Sequence, residues 1–226
     1  MNRLFIFAAI SALIVCSCGT SRTATQTTMQ TTTTTTTTVQ PVPSKGVSSG
    51  PEGKVREWQT DGYKIDGTRT MYDKLVAHYA KLDANDNLVE VEGTAIGTEK
   101  SDARMYCLND AAISYASAAK SIIEGGISRQ FSNFTESGIK LMGAYTQKVQ
   151  SAIVPFLKES IAVYRNATKN GKPVIEYDIY YIVDENSAAK VRKDAIDQAL
   201  RETATEQIFG TAVDEWVKQF VRPTEQ

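Results

Sequence analysis

Apolar side chains are crowded at the start of the chain, sparse through the next stretch, and periodic after that. Residues 5–15 are apolar apart from Ser11, follow a charged start at Arg3, and end at Val15-Cys16-Ser17-Cys18. A run of this length suits the roughly 7–15 residues of a signal-peptide apolar region. It falls short of the roughly 20 that a helix needs to cross a bilayer. Residues 18–53 are mostly Ser, Thr, Gln, Gly and Pro, with an unbroken threonine run at 31–38. Such a segment has too little apolar surface to offset the entropy of its own ordering, which predicts a disordered tether. As a flexible coil of about 35 residues its reach is on the order of 30 Å; fully stretched it spans roughly 120 Å.

From residue 54 to 222 the pattern is that of one globular domain. Residues 70–82 suit a helix with Met71, Leu75, His78 and Leu82 on one stripe. An Asx-rich turn at 83–87 leads into a strand at 88–96, with Val89, Val91 and Ala95 on one side and Glu90 and Glu92 on the other. A long Ala-rich helix is expected over 101–124, its stripe read as Met105, Leu108, Ala112, Tyr115, Ala119 and Ile122. The pair Gly125-Gly126 is its expected stop. Residues 127–134 suggest a weak strand, and Met142, Tyr145, Val149 and Ala152 fit a helix within 139–154 that Pro155 ends. Two strands, 160–168 and 173–183, flank Asn170-Gly171, a strong two-residue hairpin signal. In the second, Ile175, Tyr177, Ile179, Tyr181 and Val183 alternate cleanly, with Tyr164 and Tyr180 as candidates for the opposite face. Helices are expected at 187–203, with Val191, Ala195, Ile196, Ala199 and Leu200 inward, and again through Phe209, Val213, Trp216, Val217 and Phe220. The order predicts an α+β fold: an antiparallel or mixed sheet packed by helices on one face.

Charge and candidate chemistry narrow the picture mainly by exclusion. The net charge is −1, and no basic patch or interleaved aromatic stripe points to nucleic acid. The single histidine, His78, lies on an apolar stripe and reads as a packing residue; with Cys107 it is the one nucleophile–base pair on offer, in no recognisable motif. Cys107, inside the Ala-rich helix, reads as a small buried hydrophobe. Asp83, Asn85 and Asn87 imitate the start of a calcium loop, but Leu88 stands where its glycine belongs and Thr94 where its glutamate does. Glu90 and Glu92 read as neighbours on an exposed strand face. Gly93 and Gly97 lack the signature of a dinucleotide or phosphate loop and suggest a turn needing small residues. The pattern therefore predicts no catalytic residue, no metal, no cofactor and no identifiable ligand-binding residue.

The residues around Cys18 resemble the lipobox of bacterial lipoproteins, with Ser17 as the small residue before the modified cysteine. An ordinary secretory signal is the alternative, but its A-x-A-like cleavage site is absent. The resemblance implies a signal peptide at 1–17, lipid attachment at Cys18 and a membrane held through that anchor, since two or more acyl chains bind effectively permanently. Gly19 stands where an inner-membrane retention signal would place Asp, which favours the outer membrane. Further along, Gly93 and Gly97, the helix running from Ala103-Arg104 to Ala119, and the hairpin of residues 160–183 resemble the small bacterial LPP-twenty lipoprotein family over 88–200. The chain departs from that family in a segment before residue 88, a long stretch at 135–155 and an added C-terminal helix. The resemblance implies an envelope lipoprotein with an α+β domain and carries over no catalytic residue. A non-enzymatic interaction module, engaging an envelope protein partner or itself, is the expected function; a small-ligand or glycan-binding lipoprotein is the alternative.

Overall fold

The Asn170-Gly171 turn fixes the centre of the sheet. Both residues have positive φ, 53° and 74°, the left-handed pair that a type I′ hairpin turn requires. In this computed structural model, which describes residues 50–130, 136–211 and 213, the turn joins β3 (Lys158–Lys169) to β4 (Lys172–Asp184). β2 (Leu88–Gly97) pairs with the other side of β4, and the two-residue β1 (Lys64–Ile65) pairs with β3, giving an antiparallel sheet in the order β1-β3-β4-β2. The register shift between Glu159 and Ile161 is a β-bulge. Beyond it, Ile161 and Val163 face one way and Ala162 and Tyr164 the other.

The layer of helices expected on one face is built from α3 (Lys100–Gln130), α4 (Glu136–Ile153) and α5 (Glu185–Glu202). Their shared core takes in Tyr177, Ile179, Tyr181 and Val183 from β4, the clean alternation read from the sequence. Asp184 caps α5, accepting a 2.8 Å hydrogen bond from the Ser187 amide, and a 3-10 turn at Val154–Phe156 holds Pro155 where α4 ends. A last helical stretch at 206–211 brings Phe209 to this core, as does Val213. The expected partners Trp216, Val217 and Phe220 lie outside the described residues, as do Cys18, the signal peptide and the tether up to residue 49.

The other sheet face carries, in addition, α1 (Pro51–Thr60) and α2 (Met71–Asp83). α1 has no counterpart in the periodicity; Pro51, Glu52 and Gly53, the end of the expected tether, form its first turn, with Pro at the position helices favour. α2 begins where Thr70 caps it by accepting from the Asp73 amide. A second, smaller core gathers Trp58, Met71, Leu75, Ile161, Val163 and Tyr180.

Several local expectations are corrected. Gly125-Gly126 does not stop α3, which continues to Gln130 through the first residues of the weak strand expected at 127–134; residues 131–135 lie outside the description. The stripe of α3 is wider than expected and excludes Met105: Ala112, Tyr115 and Ala119 are buried and Leu108 and Ile122 pack against the core, but Ala103, Cys107, Ala111 and Ile123 are buried as well, whereas Met105 is 58% exposed. Gly93 and Gly97 sit within β2, not in a turn. A Cβ on Gly93 would fall 2.1 Å from the Cys107 carbonyl oxygen, and one on Gly97 2.6 Å from the Ala103 amide nitrogen. Small residues thus face each other across the strand–helix contact, and the larger Met105 is left outside because it cannot fit there. Finally, Tyr164 joins the main core, stacked on Tyr177 with ring centroids 5.5 Å apart, and Ala152 of α4 is exposed.

Candidate functional site

β4 is central and carries its titratable groups by face. Its odd-numbered residues point into the main core; Asp178, Tyr180 and Ile182 point towards α1 and α2. In register with them, β2 contributes Glu92 opposite Tyr180 and Glu90 opposite Ile182. The face that the alternation left open for Glu90 and Glu92 is therefore largely covered. α2 lays His78 over it, fully buried, with its Nε2 2.5 Å from Oε2 of Glu90. This hydrogen bond accounts for one ring nitrogen; Nδ1 is buried without a partner. The tautomer with its proton on Nε2 leaves the least unsatisfied, because an orphaned acceptor is the milder loss.

One step along the strand lies the centre of the cluster. Asp178 is only 9% exposed, and its Oδ1 has no hydrogen-bond partner. Glu92 is its diagonal neighbour on the same face and accepts from the Tyr180 hydroxyl at 3.2 Å, with its own side chain at the exposed rim. Burial pushes the Asp178 carboxyl well above the usual carboxylate range, to about 8, and the Glu92 charge adds to it; Lys54 and Trp58 of α1 act in the opposite sense. Trp58 closes the cluster, packed edge-on against Tyr180 at 5.7 Å, its indole Nε1 buried and unpartnered and Lys54 Nζ 5.3 Å from its ring. Burial, followed by the Asp178 and Glu92 charges, likewise raises the Tyr180 hydroxyl.

Cys107 lies on the other side of the sheet, in α3, its thiol directed at the Tyr177 carbonyl at 3.6 Å. Burial pushes that thiol up to about 12, with Asp178 and Asp110 adding, so it behaves as the buried small residue the sequence suggested. The sheet keeps it apart from His78, and the one nucleophile–base pair offered by the sequence is not assembled.

A second polar network ties the 61–70 loop to α3. Asp66 accepts from Arg104 Nη1 and from the Tyr177 hydroxyl, each at 2.7 Å, and Arg104 also bonds Glu159. Partial burial pushes the Asp66 carboxyl up, but the Tyr177 hydroxyl and the Lys100 and Arg104 cations hold it below its ordinary value. Lys100 Nζ lies 3.6 Å from the Tyr164 ring centroid. A third polar group, Arg192 of α5 with Glu185 and Tyr115, stands inside the helical layer. In both, the charged atoms are engaged with one another. Among the described residues, no group of three or more His, Cys, Asp or Glu is arranged to hold a metal ion, and no helix is long and apolar enough to cross a membrane. A shallow groove of about 480 Å³ follows the outer side of α1 past Glu52, Arg56 and Asp61, and shares no residue with the acid cluster.

Asp178 and Trp58 escaped sequence reasoning. The available signal was a lone carboxylate at an alternating position of a central strand between apolar neighbours, which is rare unless the group is neutral or paired. No family model, curated protein or solved structure matches this chain.

Proposed function

We propose that this chain is a lipid-anchored lipoprotein of the bacterial envelope whose α+β domain is a non-catalytic interaction module related to the LPP-twenty family. The reading rests first on the residues ending at Ser17-Cys18, where an apolar stretch of signal length gives way to a long Thr/Pro-rich spacer. The domain supports it through the fate of its candidate chemistry. His78 is engaged with Glu90 and Cys107 faces the opposite core, so each serves packing on its own side of the sheet. The aromatic face that would suit a glycan is occupied by α1 and α2, with Trp58 inserted against Tyr180, which weighs against the ligand-binding alternative. The outer membrane is the proposed location, and an envelope protein or a second copy the proposed partner.

Metabolic labelling with a clickable palmitate analogue tests the anchor. Label should be carried by the wild type and by Cys16→Ala, and lost from Cys18→Ala together with membrane retention. A Cys18→Ala chain that still fractionates with membranes would sink the reading. Cross-linking in living cells tests the module: one reproducible envelope protein, or the chain's own dimer, should be captured by the full chain and not by residues 18–53 alone. Recovery of neither overturns the interaction role.

A further inference from the structure

α1 is held to the domain across a patch of groups that are poorly satisfied where they stand. Trp58 and Asp178 meet there as two deeply buried side chains, each with a polar atom lacking a hydrogen-bond partner. Glu92 lies diagonally beside Asp178, two acids on adjacent strands of one sheet face. An ionised Asp178 would stand buried beside the Glu92 carboxylate with an unpartnered oxygen, whereas a proton on Asp178 removes that cost. The rest of α1's attachment is Val55, packed in the small core, and polar bonds at the two ends of the helix: Arg165 Nη1 of β3 donates to the Asp61 carbonyl at 3.2 Å, Tyr63 donates its amide to the Trp58 carbonyl at 2.8 Å, and the Tyr72 hydroxyl of α2 reaches Glu52 at 3.0 Å.

We propose that the buried Asp178 carboxyl, kept protonated beside Glu92, latches α1 onto the sheet, so that loss of its proton releases α1 and adds it to the spacer that precedes it. The groups facing Asp178 are Glu92 from β2, Lys54 and Trp58 from α1, Tyr180 and Glu176 from its own strand, Arg165 from β3, paired with Glu176, and Tyr63 from the connection after α1. Glu90 lies next along β2, engaged by His78 of α2. Lys54, 5.3 Å over the Trp58 ring, leaves with α1 when the helix lifts, whereas Arg165 stays with the sheet, bonded to Glu176.

The direction follows from burial. With α1 seated, the Asp178 carboxyl binds its proton up to about pH 8; with α1 lifted and water admitted, it returns towards its ordinary value near 4. The closed form holds the extra proton, so its advantage is full in acid, declines as pH rises between those two values, and levels off above the upper one. One proton bounds the effect at about tenfold in the closed-to-open ratio per pH unit. Release would free the 10 residues of α1, lengthening the maximum reach of the spacer by about 35 Å. This device acts whether or not the lipid anchor proposed above is present.

Hydrogen exchange of the α1 amides in the full chain, from pH 5 to 9 and corrected for intrinsic rates, reads the latch directly. Protection should fall across that range, by more than tenfold overall, with α1 opening at every pH at a lower free energy than β4 and α3. Asp178→Asn should keep α1 protected with little pH dependence. Glu92→Gln, altered at the exposed rim where folding is not at stake, should move the fall to lower pH. A wild type whose α1 protection is flat from pH 5 to 9 overturns the proposal. So does a Glu92→Gln curve that superimposes on the wild type, even where Asp178→Asn fails to fold by circular dichroism.

Discussion

Replacing Gly93 with alanine would put a methyl carbon 2.1 Å from the Cys107 carbonyl oxygen and 3.1 Å from the Ala111 Cβ, inside backbone that cannot swing away. β2 would have to retreat from α3 along a contact that also seats Val91, Tyr177 and Ile179. The expected loss is about 3 kcal/mol, in the range of overpacked cores with an added backbone shift. Gly143 is the matching control: it lies on the exposed side of α4 with nothing within 4 Å of a built Cβ. Gly143→Ala should gain about 0.5–1 kcal/mol from helix propensity and a less flexible unfolded chain. Denaturant midpoints of the two variants should therefore move in opposite directions. Equal behaviour would show that α3 does not approach β2 as closely as this.

Between elements, the joint most exposed to mutation is the one Arg192 makes. Its Nη1 bonds Glu185 at 2.6 Å in the first turn of α5 and reaches the Tyr115 hydroxyl of α3, while the Tyr145 hydroxyl of α4 is buried nearby without a partner. Arg192→Met should cost about 2 kcal/mol, below the 3–5 of a fully buried broken pair because Glu185 keeps some access to water. Arg192→Lys should restore only part, since an ammonium cannot span both partners as a guanidinium does. Urea melts decide this; a loss under about 0.5 kcal/mol would reduce the contact to an ordinary surface pair. Elements of this kind were legible from sequence to differing depths. The hairpin at Asn170-Gly171 was plain because turn chemistry and period two agree there. α1 was hidden because Pro51, Glu52 and Gly53 have linker composition, and only Trp58 makes the helix worth burying. The extent of α3 was hidden too, because glycine is a weak helix breaker when both neighbours are already helical. The first turns of its buried face were hidden because Met105 looks more like core than Ala103 and Cys107, although a close strand–helix contact selects for small residues.

At the scale of the molecule, the sheet divides two cores of unequal size, and that inequality could not be read from either strand alone. Alternation placed Glu90 and Glu92 away from the main core but could not say that α2 would return over them, bringing His78 to Glu90. The site under α1 and α2 was therefore legible as residues and illegible as a place. The main core is fed by three long helices and one whole sheet face; among the described residues the smaller has six buried side chains, Leu75 and Trp58 among them. Stability should follow that division, since regions with few buried apolar contacts open first and cooperatively. At constant pH the amides of α2 should exchange at a lower opening free energy than those of α3 or β4. Leu141→Ala sharpens the test. It removes a fully buried side chain from the main core and should cost about 3 kcal/mol there. That cost should lower the protection of the slowest amides of α3, which open only when the whole domain does, while leaving α2 nearly unchanged, because α2 opens with the main core intact. If instead Leu141→Ala lowered protection in α2 and α3 by the same amount, the two sides of the sheet would unfold as one unit, and the α1–α2 cap would have no independent opening for an acid latch to control.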